Sequence, residues 1–383
     1  MGAPKRNMRV LAAGGFVSGL TVRLAEPLLP KIAEDLSVTI SDAAVVLTGF
    51  SLAYGVFQLV HGKLSERFGL LRTVSVMMMF AAFATFGCAL SDDLNSLTVF
   101  RFLTGMTAGA IIPLSFAYVG EHVPMSERQP VLARFISGIL IGQILGPLVG
   151  GVVSDWVSWR ATFIVPTVGF FAVALALVPA AIAEGREAPG NKTSSPGYLT
   201  LLGRARVQWI CGAVAIESLA FHGAFAFIGA YTRITFEASF TVIGILLAGF
   251  GIGGVLYSTF VRQLLDKLGV RGLLSLSGYL MFAGFVVIPW LDQLWLLMLV
   301  TVALGFGMYA MHNTLQTRAT EMATDARAGA ISLFAVSLFL GQALGIEAAS
   351  IAIGIVGYSP VFLVAAVTLA LLAAGIRQSL HRM

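Results

Sequence analysis

Residues 142–151 read Gly142-Gln143-Ile144-Leu145-Gly146-Pro147-Leu148-Val149-Gly150-Gly151, and this stretch decides the fold. It lies in an apolar run from Val131 to Val153. As a helix rising about 1.5 Å per residue, that run is long enough to cross a hydrocarbon core of roughly 30 Å. In water its glycines and proline would break a helix, at roughly 1 kcal/mol per glycine and about 3 kcal/mol for the proline. In a bilayer, neighbouring segments absorb the proline, and glycines four apart at 142, 146 and 150 open a groove where another backbone can approach. The spacing asks for a partner helix.

The rest of the chain agrees with a membrane reading. Its 383 residues are 57% hydrophobic and 11% charged, with a mean hydropathy of +0.89, which excludes an ordinary soluble protein. Apolar windows of about twenty residues predict twelve spans, the first at 9–30 and the last at 360–378. With both termini cytoplasmic, nineteen Lys and Arg fall in inner segments and three (Lys31, Arg160, Arg233) in outer ones, while Arg23 and Arg101 lie within spans. The net charge of +5 is therefore a topology signal, and nucleic-acid binding is not expected. Trp156, Trp159, Trp209, Trp290 and Trp295 all fall at span ends, where an aromatic belt belongs. Cys88 and Cys211 sit in different spans and predict no disulfide framework. The first apolar run reads as a span, without a cleavable signal pattern.

The chain also repeats itself. Leu47-Thr48-Gly49-Phe50 returns as Leu247-Ala248-Gly249-Phe250, and Glu66-Arg67-Phe68-Gly69 as Asp266-Lys267-Leu268-Gly269, each 200 residues on. Gly142-Gln143 recurs as Gly341-Gln342 and Gly146 as Gly345. A parallel duplication of six spans about an axis along the membrane normal is the expectation. It places an N-terminal bundle at 1–183, a Pro/Gly/Ser-rich cytoplasmic linker at 184–206 and a C-terminal bundle at 207–383. Gly249 to Gly254 matches GxGxxG only superficially, since no strand precedes it. No Walker sequence, metal-spaced cluster or nucleophile triad is present, so neither enzyme chemistry, a metal nor a cofactor is expected.

Residues 142–151 resemble the antiporter motif, gxxxGPxxGG, on the fifth helix of drug:proton exporters in the major facilitator superfamily, through Gly142, Gly146, Pro147, Gly150 and Gly151. A generic small-residue packing face is the plainer alternative. His61 to Arg72 resembles the family's loop GxLxDRxGRR, matching at Gly62, Leu64, Arg67 and Gly69, with Glu66 in place of the aspartate. In the family this loop is a cytoplasmic latch; solvated loop charges are the other reading. Arg101, Gly105 and Gly109 resemble RxxxGxxxG of the fourth span, and Pro27 to Leu36 and Trp159-Arg160 resemble further family segments. The resemblance implies an all-α membrane protein of twelve helices in two pseudo-symmetric six-helix bundles. It also implies a bacterial inner-membrane transporter, monomeric, driven by the proton gradient, that exports a small amphipathic or polar compound. A narrow transporter of one metabolite (a vitamin, sugar, nucleoside or siderophore) stays open, as does a transporter-shaped receptor without flux.

Charges inside spans are the candidate site, because each costs roughly 2.5–3.5 kcal/mol at the bilayer centre. Arg23 and Glu26, three apart, share a helix face and can pair. Arg101 lies at a similar depth on a span adjacent in the family, which would set Glu26 between two arginines. Such a cluster is a proton relay, a dock for an anionic substrate, or a fixed structural ion pair. Cations on both sides would favour the charged carboxylate and argue against Glu26 as sole proton carrier. Glu217 sits near the midplane with no cation within a turn of its own helix, and is the leading candidate for the coupling proton. His222 is a possible second station or a packed histidine, and His312 and Asn313 are candidate cavity residues.

Overall fold

The computed structural model describes residues 3–184 and 197–380. Ten helical stretches are long and apolar enough to cross a membrane, and Ile40–Val56 with Gln58–Phe68, bent by 46°, makes an eleventh span. The longest, Phe240–Trp290, contains Gly269 at φ 62° and ψ 177°, which divides it in two. Twelve spans result among the described residues. They are α1 (Arg6–Asp35), α2 (the bent pair), α3 (Leu70–Ala89), α4 (Leu94–His122), α5 (Glu127–Trp156), α6 (Trp159–Glu184), α7 (Ala205–Phe236), α8 (240–268), α9 (270–290), α10 (Leu294–Ala319), α11 (Gly329–Val356) and α12 (Tyr358–Ser379). Where hydropathy alone places a gap at 263–271, the helix runs on to Gly269.

That glycine explains part of the repeat. Gly69, between α2 and α3, has φ 93°, and its counterpart Gly269 turns the chain between α8 and α9. Both values lie in the left-handed region, which glycine enters without the Cβ penalty of other residues. Of the linker, 185–196 lie outside the described residues; beyond them Tyr198–Leu202 forms a short helix, with Leu201 in the core of the second bundle.

Helix α5 shows what its glycines are for. A Cβ at Gly142, Gly146 or Gly150 would run into the carbonyls of Phe16, Leu20 and Leu24, so this face lies directly on the backbone of α1. The adjoining face meets the other bundle: Gly244 of α8 packs on the Pro147 carbonyl, and Gly151 on that of Phe240. The second half repeats the first contact, with Gly341 and Gly345 of α11 lying on Ala215 and Leu219 of α7. At Gly146 an added Cβ would sit 2.5 Å from the Leu20 oxygen and 3.3 Å from the Arg23 Cβ. Backbone cannot retreat as a side chain can, so Gly146→Leu is expected to exceed the usual 1–3 kcal/mol of overpacking. Folded yield in detergent, read by size exclusion, should collapse; normal yield would mean the two helices are free to separate.

Both α1 and α7, the first spans of the two bundles, are broken. In α1 the helix ends at Arg23, a single 3₁₀ turn spans Glu26–Leu28, and the helix resumes at Leu29; Pro27 lacks the N–H that continuity would need. In α7 the helix ends at Phe225 and resumes at Ile228. The breaks abut across the pseudo-twofold axis, since a Cβ at Gly229 would lie 3.5 Å from the Glu26 carbonyl oxygen.

The halves are tied at the end remote from the termini. Asp155, in the last turn of α5, accepts hydrogen bonds from the backbone N–H groups of Phe240 (3.1 Å) and Thr241 (2.6 Å), satisfying orphan donors at the start of α8. Ser41 and Ser350 exchange hydroxyl-to-carbonyl bonds of 2.9 and 2.7 Å between α2 and α11. The bonds of Asp155 to α8 and of Ser41 to Ser350 lie at this remote end, and the Tyr309–Gln143 bond lies near mid-depth. At the terminal end Glu66 is exposed and makes no ion pair among the described residues. One expectation is corrected here. Trp159 is fully buried, its indole N–H donating to Asp35 at 2.8 Å, whereas Trp156, Trp290 and Trp295 are exposed as belt residues should be.

Candidate functional site

The two helix breaks bring together side chains that lie some two hundred residues apart. Arg23, the last residue of its helical segment, projects across the bundle interface: its guanidinium stands 4.0 Å from the Phe250 ring centre and 4.8 Å from that of Phe225. Its Nη1 donates to Glu26 Oε1 at 2.6 Å, and both residues are buried. Such a pair, one member flanked by π faces, keeps its charges out of hydrocarbon.

On α7, Ser218, Glu217 and His222 continue the polar path. His222 Nδ1 lies 3.0 Å from the Ser218 hydroxyl, and the ring stands edge-on to Phe221 with centroids 5.4 Å apart. Glu217 is fully buried, and its Oε2 lies 3.0 Å from His312 Nδ1 on α10. The acid with no cation in its own helix thus finds an imidazole 95 residues away. Nη2 of Arg23, Oε2 of Glu26 and Oε1 of Glu217 make no hydrogen bond among the described residues, so three buried ionisable groups retain capacity at the centre. Glu26–Arg23 and Glu217–His312 thus form one central series of two pairs, joined across the interface where the Arg23 guanidinium lies over the Phe225 ring of α7.

Other candidates lie apart. Arg101 is fully buried inside the first bundle, its Nε 3.5 Å from the Val46 carbonyl and its guanidinium over the rings of Phe50 (4.1 Å) and Phe163 (5.9 Å). The expected arrangement of Glu26 between two arginines therefore forms only in its Arg23 half. Asn313 is half-buried and makes no side-chain hydrogen bond to these groups among the described residues. Of the loop residues, Arg67 lies over the Phe68 ring and Gly62 accepts from the Ser65 hydroxyl, a local arrangement. Outside the spans, the Arg204 guanidinium donates two hydrogen bonds to Asp325, of 2.6 and 2.7 Å, and lowers its carboxyl to about 2. That acid stays ionised at any pH a transporter meets.

Reading the sequence missed Tyr309 and weighed Gln143 only as part of a motif. Tyr309 of α10 donates to Gln143 Oε1 of α5 at 2.7 Å and packs on Phe250, the ring that also receives Arg23, with centroids 5.2 Å apart. Both are polar groups in apolar windows, and Tyr309 stands one turn before His312 on the same face, a signal that was there to use.

Two broken helices meeting at the interface of repeated bundles, with buried charge at the junction, define a membrane transporter. The pattern of the Major Facilitator Superfamily matches residues 11–236 and 210–377, and the chain belongs to that family. It is 31% identical over 155 residues to the multidrug export protein EmrB of Haemophilus influenzae, covering 40% of this chain and 30% of that protein. Matches to the drug-export relatives span only 30 to 37% of their length. The transporter YceJ of Bacillus subtilis is 24% identical over 340 residues, covering 86% of this chain and 85% of its own. A crystal structure of a bacterial homologue of the human lysosomal transporter Spinster superposes with a TM-score of 0.76 at 15% identity, covering 98% of this chain and 96% of that one. It shares the fold.

Proposed function

We propose that this protein is a proton-coupled exporter of small amphipathic or polar compounds in a bacterial inner membrane, with both termini cytoplasmic. Residues 1–183 and 207–383 rock as two bundles about the 184–206 linker. The observation that carries the reading is the Glu217–His312 pair, a buried carboxyl hydrogen-bonded to an imidazole in the bundle whose Phe225 and Phe250 rings receive the Arg23 guanidinium. Such a pair takes up or gives up one proton while staying hydrogen-bonded, and its net charge changes by one. When the bundles rock, the surroundings of the pair pass from dry to wet, and the cost of each charge state changes with them. Proton binding is thereby tied to the conformational change. Partial similarity to drug-export proteins supports efflux of amphipathic compounds, and the rings of Phe225, Phe250 and Tyr309, packed beside the charge here, would offer apolar surface once the bundles part.

The hydrogen bonds joining the halves at the remote end make this conformation the inward-facing one in that orientation. Asp155 is its latch. Asp155→Asn removes a charge at a helix N-terminus, an interaction of about 0.3–2 kcal/mol. Spin labels at Val157 and Glu237 should then show a larger population with the remote end apart. An unchanged distance distribution would assign Asp155 no part in the switch.

Function itself is tested in proteoliposomes loaded with an amphipathic fluorescent dye, with the pH gradient imposed in either direction. Gradient-dependent dye movement supports the proposal. Binding of the dye without flux would favour a receptor, and flux indifferent to the gradient would leave a facilitator.

A further inference from the structure

On the outer surface of the second bundle, away from the central site, α9 and α12 leave a trough. It comprises two adjoining hollows of about 350 and 450 Å³ that share Ala374 and Arg377. Its floor is small because the helices nearly touch: a Cβ at Gly278 would lie 2.6 Å from that of Ala373, with Ala370 alongside. Tyr279, 68% exposed, and Phe282, 38% exposed, stand as its wall. At the end near the chain termini two guanidiniums close it, Arg271 from α9 and Arg377 from α12, with Ser275 donating its hydroxyl to the Arg271 carbonyl and accepting from Arg377 at 3.1 Å. Neither arginine forms an ion pair among the described residues.

We propose that this trough is a site for one anionic phospholipid of the inner leaflet, its phosphate between Arg271 and Arg377 and an acyl chain along Gly278, Tyr279 and Phe282. Three features favour that occupant. The charge is positive and uncompensated where headgroups lie, the apolar part runs from there into the membrane, and arginine meets a phosphate oxygen pair with a planar fork. A zwitterionic lipid brings its own cation to the same place and gains less. Arginines that merely snorkel to the interface would show no such preference.

The test is native mass spectrometry of the detergent-solubilised protein titrated with phosphatidylglycerol, and with phosphatidylcholine of the same chains. Each basic residue near an anionic headgroup is worth about 1 kcal/mol, or roughly a fivefold change in affinity. The wild type should favour phosphatidylglycerol, R271Q and R377Q should each weaken it about fivefold, and the double variant about thirtyfold. Ala374→Phe, which fills the exposed trough and keeps both arginines, should weaken it at least fivefold. Soluble glycerol phosphate should not compete. The proposal is overturned if the double variant keeps the preference, if Ala374→Phe binds as the wild type does, or if glycerol phosphate displaces the lipid. Melting curves of each variant confirm that binding is compared between folded proteins.

Discussion

Glu26→Gln is expected to lower thermal stability further than any other single change in the central series. The carboxylate holds Arg23 at 2.6 Å, with the two side chains only 6% and 4% exposed. Removing one partner of a buried ion pair typically costs about 3–5 kcal/mol, because the surviving charge is left buried and uncompensated. The rings of Phe225 and Phe250 return at most about 2 kcal/mol, and they already do so in the wild type. Replacing both members at once, with Arg23→Met and Glu26→Leu, removes the charges together and should recover most of the lost stability. Melting of purified protein in detergent, followed by intrinsic fluorescence, reads both. If Glu26→Gln melts with the wild type, the pair is not holding the α1 break in place.

Glu217→Gln is expected to abolish accumulation driven by a pH gradient while leaving substrate exchange. Glutamine keeps a hydrogen-bonding group beside His312, which lies 3.0 Å from the native carboxyl, but it has no titratable proton, so the carboxyl's part in the proton exchange is lost. A carrier that needs a proton to reset would lose its uphill cycle, yet substrate could still carry it back and forth in exchange. Exchange of labelled for unlabelled dye across liposomes, compared with gradient-driven uptake of the same dye, separates the two. Loss of both would make Glu217 a structural or substrate-binding residue, and retention of both would remove it from coupling.

Much of this was legible in one dimension. Hydropathy windows and the glycine spacing at 142, 146 and 150 led to a twelve-span fold with α5 against another backbone, and the 200-residue offset led to paired bundles. Glu217 could be read as buried because depth is linear in residue number along a helix. Rotation about the helix axis is not. Arg101 was expected beside Glu26 from matching depth, but its azimuth turns it towards Phe50 and Phe163. Likewise His312 was a cavity residue without a partner, since nothing local to α10 says which of its faces meets α7. Trp159 had the position of a belt residue, and its hydrogen bond to Asp35 depends on a contact 124 residues distant. Asp155 was passed over altogether, as an acid at a span end looks like any solvated loop charge until α8 starts against it.

The central claim is that protons cross in exchange for substrate through Glu217, and direct proton counting tests it. Proteoliposomes containing wild type or Glu217→Gln, with a trapped pH indicator and no imposed gradient, are given an outward gradient of the amphipathic dye. Wild type should move protons against the dye flux, changing internal pH in step with dye loss, and Glu217→Gln should give no pH signal. An equal pH signal from both proteins, or dye movement by wild type with none, would contradict the account.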